Sequence, residues 1–452
     1  MDCHKYHILA ILGLVRKDED GNFTKATYSK DSTLDLPLLK NGEFHNSTHC
    51  LIESFGENAT YTFIGTADFI GTADKECKKG SISQHNELFT ALLDSPCKAI
   101  FEKYKPIELS ATNEIEDIFN KVLEVIKSTQ SQNIILDITH GFRHQPIIAS
   151  FASTLAQINT KKSITLLFAK EIEPHKQYQY ISLVRYSQIS LVSLSLQTFV
   201  QTLSVPEIPS LAENNLIKAL NDFSKSLFAN AFNDIFKNLD KAIFELQEAK
   251  NNDEFIATES ILGEVSKILN EFLNIKNTKK DYAKHHKIAK IMHQKGFYLI
   301  TATYIYEAIG LYIVDDFDKQ GFINKAISNE YDLTNAARYF VLTGNKPNQT
   351  KDKKDALKNF DELTIYRDNN QAKFESWKTL LAQIKRFRND LAHIAKDAKY
   401  DTKNIGGILN RALQDLEQII NQNPQKNDSK TFGESIHSDG ALQAQLQKLK
   451  NH

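Results

Sequence analysis

The chain has 452 residues, 41% of them hydrophobic and 25% charged, which is ordinary for a globular protein of two or three domains. Its 55 basic and 56 acidic residues give a formal net charge of −1, so any nucleic-acid site must be a local patch rather than a chain-wide basic surface. No apolar run is long enough to span a membrane and the four cysteines are dispersed, so we expect a cytoplasmic protein with reduced thiols and no metal site.

The first part of the chain alternates strand-like apolar runs with amphipathic helical segments. Strands are predicted where the sequence is almost continuously apolar, at 6–15, 60–66, 133–138 and 163–169, with a fifth strand, antiparallel and at a sheet edge, at 178–185. Helices are predicted at 114–130 and 147–158, where apolar residues recur at three- and four-residue steps. This alternation indicates a doubly wound α/β domain.

Three loops follow predicted strands, at 13–22, 65–74 and 139–146, and should lie at the edge of the sheet where doubly wound proteins bind ligands. The third loop offers a hydroxyl, an imidazole, a glycine for close backbone approach and an arginine suited to phosphate. The dinucleotide and P-loop fingerprints are both absent from the sequence. The alternative is that His140 and Arg143 only cap the following helix or pair with an acid.

From 211 to 422 nearly every segment has the period of an amphipathic helix, with polar loops around 250–254, 276–281 and 343–353. Residues 276–295 hold seven lysines and three histidines, without the spacing of a zinc site. Such a segment is compatible with an RNA-facing groove or with a solvated helix face. The polar tail 423–452 is predicted to be flexible.

A six-residue segment, Arg388–His393, combines a cation with an imidazole inside one of these amphipathic helices. On an ideal helix Arg388 lies at the edge of the apolar stripe and His393 lies about 140° away from it. Two copies of the helix could therefore bring arginine and histidine together more easily than one copy. RNA cleavage by the 2′-hydroxyl needs a cation for the phosphate and a group that moves a proton. A solvated helix face is the simpler alternative.

The segment Leu136–Arg143 resembles the ligand loop of CARF domains (CRISPR-associated Rossmann folds), and Arg388–His393 resembles the R-x4-6-H motif of HEPN domains. In this order and at this length, the two motifs resemble the CARF–HEPN ribonucleases of type III CRISPR systems. The resemblance extends to about residue 420. It implies a CARF-like sensing domain at 1–190, a helical connector at 191–275, a HEPN domain at 276–422 and the tail at 423–452.

The resemblance implies an antiviral homodimer, or a higher oligomer, in which two CARF domains share one cyclic oligoadenylate, with cyclic tetra-adenylate the expected ring. Ligand binding would activate a composite HEPN site that cuts single-stranded RNA without metal. The implied catalytic residues are Arg388 and His393, with Asn389 as a polar helper. The activator-binding residues would be Gly13, Gly65, Thr66, Thr139, His140, Gly141, Phe142 and Arg143. The basic helical segments predict RNA contacts by Lys284, Lys287 and Arg386.

Three other functions remain open on the sequence. The first is a ring nuclease that cleaves cyclic oligoadenylate in the CARF pocket, with Thr139, His140 and Arg143 bending the ligand. The second is a sensor or RNA-binding scaffold with an inactive HEPN half. The third is a small-molecule enzyme on a doubly wound fold, for which no cofactor fingerprint is present.

Overall fold

The computed structural model describes residues 5–70, 77–92, 95–110, 113–251, 258–326, 329–347, 355–392 and 402–421. The predicted tail, His393 and parts of three predicted loops (65–74, 250–254 and 343–353) lie outside them. The chain forms two compact units. The first takes in the chain up to 196 with 206–218 and 252–259, and the second takes in 197–205, 219–251 and the chain from 260 onward. Among the described helices, none is long and apolar enough to cross a membrane.

The first unit is built on one large sheet. Its strands are β1 (Tyr6–Ile11), β2 (Ala26–Lys30), β3 (Gly42–Phe44), β4 (Ala59–Thr66), β7 (Ile107–Leu109), β8 (Asn133–Asp137), β9 (Ser163–Glu173) and β10 (Gln177–Ser182), while β5 (Phe69–Ile70) and β6 (Cys77–Lys78) pair separately. The strand order is β3-β2-β10-β9-β8-β1-β4-β7. Strands β7, β4, β1, β8 and β9 run parallel, and β10 pairs antiparallel with β9.

The four long apolar runs are confirmed as strands and lie next to one another in the middle of the sheet. The prediction that the fifth strand lies at an edge was wrong, because β10 pairs on its other side with β2. Strand β2 was not predicted, since only two of its five residues are buried and its sequence lacks an apolar run. Without β2 and β3, the fifth strand has no predicted neighbour on that side.

Helices cover both faces of the sheet. They are α1 (Ser47–Phe55), α2 (Ser81–Ala91), α3 (Cys97–Lys103), α4 (Glu114–Ser128) and α5 (His144–Asn159). Side chains alternate along β1, so Ile8 and Ala10 join an apolar cluster that includes residues of α1, α2 and α3. Leu9 and Ile11 join a second cluster with residues of α4 and α5. Both faces of the central strands are therefore buried, which explains their unbroken apolar sequence.

The described chain after the sheet is helical, as predicted. Its helices are α6 (Val184–Thr202), α7 (Asn215–Phe228), α8 (Phe232–Lys250), α9 (Glu259–Lys276), α10 (Asp281–Gln294), α11 (Tyr298–Lys319), α12 (Glu330–Thr343), α13 (Phe360–Asn369), α14 (Gln371–Ala392) and α15 (Thr402–Asn421). In the second unit, α11 packs against α10, α12, α14 and α15. This central position explains why residues on nearly every side of α11 are buried.

Candidate functional site

A cavity of about 480 Å³ opens where β1, β4 and β8 end. Because these strands are parallel, their carboxyl ends meet at one edge of the sheet, and the three predicted ligand loops meet there too. The predicted residues that line this cavity are Gly13, Thr66, Thr139, His140, Gly141 and Phe142. Gly65 is buried within β4, and Arg143 is exposed at the beginning of α5; neither lines the cavity.

A buried carboxylate fixes the loop after β8. Asp137 is fully buried and accepts hydrogen bonds from the Ser47 hydroxyl at 2.6 Å and from the Thr139 backbone N–H at 3.0 Å. Burial raises the pKa of Asp137. The Thr139 hydroxyl oxygen accepts a further bond of 2.9 Å from the backbone N–H of Ala169. Asp137 therefore holds the loop against α1, and Thr139 links it to β9.

The imidazole of His140 serves as an acceptor. Its Nε2 accepts a hydrogen bond of 3.3 Å from the backbone N–H of Ser47, at the beginning of α1. Burial, with a smaller contribution from the positive charge of Arg16, lowers the pKa of His140 to about 4. His140 is therefore neutral at pH 7, with its proton on Nδ1. The alternative that His140 and Arg143 cap the following helix is wrong: His140 contacts α1, and the side chain of Arg143 makes no capping bond to α5.

The beginning of α1 is held by a second buried histidine that the sequence did not reveal. Asn46 caps the helix, since its Oδ1 accepts the backbone N–H of His49 at 2.8 Å, and its Nδ2 donates to His85 Nε2 at 3.0 Å. His85 Nδ1 donates to the carbonyl of Ser81 at 2.8 Å. Burial lowers the pKa of His85 to about 4, consistent with this neutral imidazole. The signal that could have found α1 is Asn46 before Ser47-Thr48, a typical helix start.

Charged side chains that the sequence did not mark as ligand-binding residues lie at the mouth of the cavity. Arg16 and Lys25 line it and bring positive charge. The Arg16 guanidinium contacts Nδ1 of His175, in the turn between β9 and β10. Glu171 Oε1 accepts the backbone N–H of His175 at 2.7 Å and the Tyr178 hydroxyl at 3.1 Å. These residues come from distant parts of the chain, so no local motif marks them.

Glycine is required at three positions around the cavity because the loops approach one another closely. A Cβ on Gly13 would lie 2.7 Å from the Cβ of His140, and a Cβ on Gly65 would lie 2.7 Å from Ser81 Oγ. Gly141 has a φ of +101°, which favours glycine over any other residue. The sequence predicted that glycine allows a ligand to approach the backbone closely. In the structure, these glycines also allow the protein's own loops to approach one another.

One cluster of possible metal ligands occurs in the described residues, formed by His49, Glu53 and Cys97. His49 Nδ1 accepts the backbone N–H of His45 at 3.2 Å, which leaves the proton of the neutral imidazole on Nε2, 3.8 Å from Glu53 Oε1. Burial raises the pKa of Cys97 to about 12, and its thiol faces the same Oε1 at 3.5 Å. The Ser95 hydroxyl donates to the same oxygen at 2.5 Å, so this carboxylate already has its partners and the donor set fits a metal poorly.

In the second unit, α14 carries the Arg388–His393 segment up to Ala392. The predicted apolar stripe runs from Phe374 to Ile394. Its buried members are Phe374, Trp377, Leu380, Leu381, Ile384 and Phe387, while Leu391 is half-buried and Ile394 lies outside the described residues. Arg388 is half-buried and Asn389 is exposed, while His393 lies outside the described residues. The Arg388 guanidinium lies over the ring of Tyr306, 4.5 Å from its centroid.

The predicted RNA-binding lysines differ in accessibility. The Lys284 side chain is only 18% exposed, pairs with Asp281 at 2.8 Å and lies near two phenylalanine rings of α8. Lys287 is exposed and donates to the Thr278 hydroxyl at 3.0 Å. The Arg386 side chain is 82% exposed. Of the three, Lys287 and Arg386 are the more accessible to a polyanion.

Residues 8–174 match the family model described as "CRISPR system endoribonuclease Csx1, CARF domain". No curated protein matches the sequence. Among solved structures, Enterococcus italicus Csm6 bound to cyclic hexa-2′-fluoro-hexa-dAMP is 13% identical, with a TM-score of 0.41 over 99% of each chain, a likeness too weak to support a functional conclusion. The family match covers most of the sheet and the loops of the cavity. Residues 8–174, which form most of the first unit, are therefore similar to the CARF domain of a CRISPR-associated endoribonuclease family.

Proposed function

We propose that the protein is a ribonuclease of type III CRISPR defence that cyclic oligoadenylate activates and that cuts single-stranded RNA without metal. The observation that carries the proposal is the cavity at the carboxyl edge of the CARF sheet. It combines the cations Arg16 and Lys25 with the hydroxyl-bearing Thr66 and Thr139, a set suited to the phosphates and riboses of a cyclic oligonucleotide. Cyclic tetra-adenylate is the proposed ring.

Individual residues of the loop after β8 have distinct proposed roles. Phe142 is 48% exposed at the cavity, so its ring is available for stacking against an adenine base. The positive φ of Gly141 shapes the backbone between His140 and Phe142. Arg143 is exposed at the beginning of α5, outside the cavity lining, and is proposed to contact a phosphate of the ring. We propose that a homodimer binds the ring between two such loops, one from each subunit.

The proposed RNA chemistry uses Arg388, Asn389 and His393 of both subunits. His393 transfers a proton as the RNA 2′-hydroxyl attacks the adjacent phosphate, and Arg388 stabilises the charge of the phosphorane. The products are a 2′,3′-cyclic phosphate and a 5′-hydroxyl. In its support, the Arg388 guanidinium lies over the Tyr306 ring, a contact that does not use its N–H groups as hydrogen-bond donors.

The test is cleavage of a fluorescent RNA in EDTA, with cyclic tetra- and hexa-adenylate in parallel. The wild type should cut only when a ring is present, and His393→Ala should lose at least about 100-fold in rate, as expected for a general acid–base residue. Ring-dependent cleavage that survives His393→Ala would remove His393 from the active site. Cleavage abolished by EDTA would overturn metal independence. A wild type that binds a ring but never cuts would favour the scaffold.

A ring nuclease receives less support from the geometry. His140 Nε2 accepts the backbone N–H of Ser47, and the Thr139 hydroxyl oxygen accepts the backbone N–H of Ala169, so neither atom is a free base in the cavity. Incubation of His393→Ala with labelled ring tests this alternative separately. Linear products from that variant would place a second activity in the first unit.

A further inference from the structure

The ring of Tyr306, on the central helix α11, is approached by two arginines from different helices. The guanidinium carbon of Arg388, on α14, lies 4.5 Å from the ring centroid. That of Arg338, on α12, lies 4.1 Å from the same centroid. Tyr306 itself is only 8% exposed, so three helices meet at one buried ring. Two cations thus contact a single aromatic ring. This arrangement is part of neither sequence motif, and it lies outside the residues that match the family model.

Arg338 is locked in place. It is 2% exposed and donates to the backbone carbonyl of Tyr306 at 3.0 Å and to Glu307 Oε2 at 2.6 Å. A Cβ on Gly310 would overlap its guanidinium, so the glycine lets the arginine lie against α11. A buried charge held by a carboxylate, a carbonyl and a ring has little freedom to move. Arg338 therefore fixes the Tyr306 ring from within the helical unit.

The surroundings of Arg388 differ from those of Arg338. Arg388 is half-buried, and within the described residues the Tyr306 ring is the group that its guanidinium contacts. A guanidinium that stacks on an aromatic face keeps its N–H donors, which lie in its own plane, free for other partners. The ring can thus restrict where the cation lies without occupying the donors that a phosphate needs.

We propose that Tyr306 is a positioning residue of the ribonuclease site, whose π face orients the Arg388 guanidinium, and that the Arg338–Glu307 pair fixes the ring in turn. This inference rests on the proposed function, because it assigns Arg388 to the scissile phosphate. It predicts that the electron density of the ring at position 306, and not its shape alone, governs the rate of RNA cleavage.

The test replaces Tyr306 by Phe, by Leu and by phenylalanines with increasing numbers of ring fluorines, which keep the shape of the ring and weaken its attraction for cations. Cleavage of RNA is measured at saturating cyclic oligoadenylate. Tyr306→Phe should stay within about 3-fold of the wild type, and Tyr306→Leu should lose about 10- to 100-fold. The rate should fall stepwise with each added fluorine, while the activator concentration for half-maximal rate stays constant.

The matched control is the same fluorinated series at Tyr304, a fully buried tyrosine of the same helix whose hydroxyl donates to the carbonyl of Leu227. Substitution there tests packing without a contact to Arg388, so no stepwise trend is expected. Equal rates across the fluorinated series at 306, in a protein whose wild type cuts RNA, would overturn the positioning role alone. A wild type that does not cut RNA would overturn the proposed function, and the positioning role with it.

Discussion

The Ser47 hydroxyl donates a 2.6 Å hydrogen bond to the buried Asp137 carboxylate, while the backbone N–H of Ser47 donates to His140 Nε2 at 3.3 Å. One residue at the beginning of α1 thus holds two residues at the end of β8, although about ninety positions separate them in the sequence. The shape of the cavity depends on this contact, because Thr139 and His140 both line it.

Substitution of Ser47 by Ala should lower the free energy of unfolding by about 1–3 kcal/mol, because it leaves one oxygen of the buried Asp137 without its donor. Urea unfolding of the full chain measures the change. Ser190→Ala is the matched control, since that exposed hydroxyl bonds only to a carbonyl within its own helix, and should change stability by less than about 0.5 kcal/mol. Equal stability of the two variants would show that the Ser47–Asp137 bond is dispensable.

Gly13→Ala should destabilise the first unit by about 1–3 kcal/mol, because the added Cβ would lie 2.7 Å from the Cβ of His140. The displaced imidazole should also weaken the binding of cyclic oligoadenylate, which calorimetric titration measures. Gly263→Ala, in α9, adds a Cβ with no atom within 4 Å and should stabilise the chain by about 0.5–1 kcal/mol. A Gly13→Ala variant with wild-type stability and affinity would contradict the packing described for this loop.

Arg16→Ala should weaken the binding of cyclic tetra-adenylate about 10- to 100-fold, the range expected for lost hydrogen bonds between charged groups. The dependence of affinity on salt should also become shallower, because one cation no longer faces the phosphates. Lys17→Ala is the control, since Lys17 pairs with Glu87 at 3.2 Å and does not line the cavity. Equal losses in the two variants would indicate a general charge effect rather than a contact in the cavity.

The stability of the protein should fall as the pH is lowered from about 6.5 to about 4. Burial is the main cause that lowers the pKa values of His7, His49, His85 and His140 to about 4, so the unfolded chain takes up protons first. Each buried histidine contributes up to about 3 kcal/mol of stability above pH 6.5, which is lost on acidification. The raised pKa of Asp137 has the opposite sign, since protonation relieves its burial.

Urea midpoints measured between pH 7.5 and 4.5 check this prediction. In His85→Gln the free energy of unfolding should change less steeply with pH, because one fewer proton is taken up on unfolding. A stability that does not change over this pH range would mean that these histidines are accessible to protons in the folded protein.

The centre of the sheet could be predicted because strands buried on both faces are apolar throughout, as β1 and β8 are. The loop after β8 could be predicted because topology places it at the carboxyl edge. Strand β2 could not, because only two of its five residues are buried and it depends on β10 for pairing. Arg16 and His175 could not be linked either, since 159 positions separate them and only the folded sheet brings them together.

In the helical unit the periodicity of α14 correctly gave its buried stripe. The same sequence did not reveal that Lys284 is mostly covered, because its neighbours Phe232 and Phe236 lie on another helix. Tyr306 belonged to an apolar helix with several tyrosines, and nothing local distinguished it from the others. Contacts between helices, such as that of Tyr306 with Arg388, depend on packing that no single segment encodes.

We propose that the first unit senses cyclic oligoadenylate and that the second unit cuts RNA. The rate of RNA cleavage is therefore measured against the concentration of cyclic tetra-adenylate for wild type, Arg16→Ala and Arg388→Ala. We predict that Arg16→Ala raises the concentration for half-maximal rate without changing the saturated rate, and that Arg388→Ala abolishes cleavage while ring binding stays at the wild-type level. Full ring-dependent cleavage by Arg388→Ala, or a lower saturated rate with an unchanged midpoint in Arg16→Ala, would contradict this division of roles.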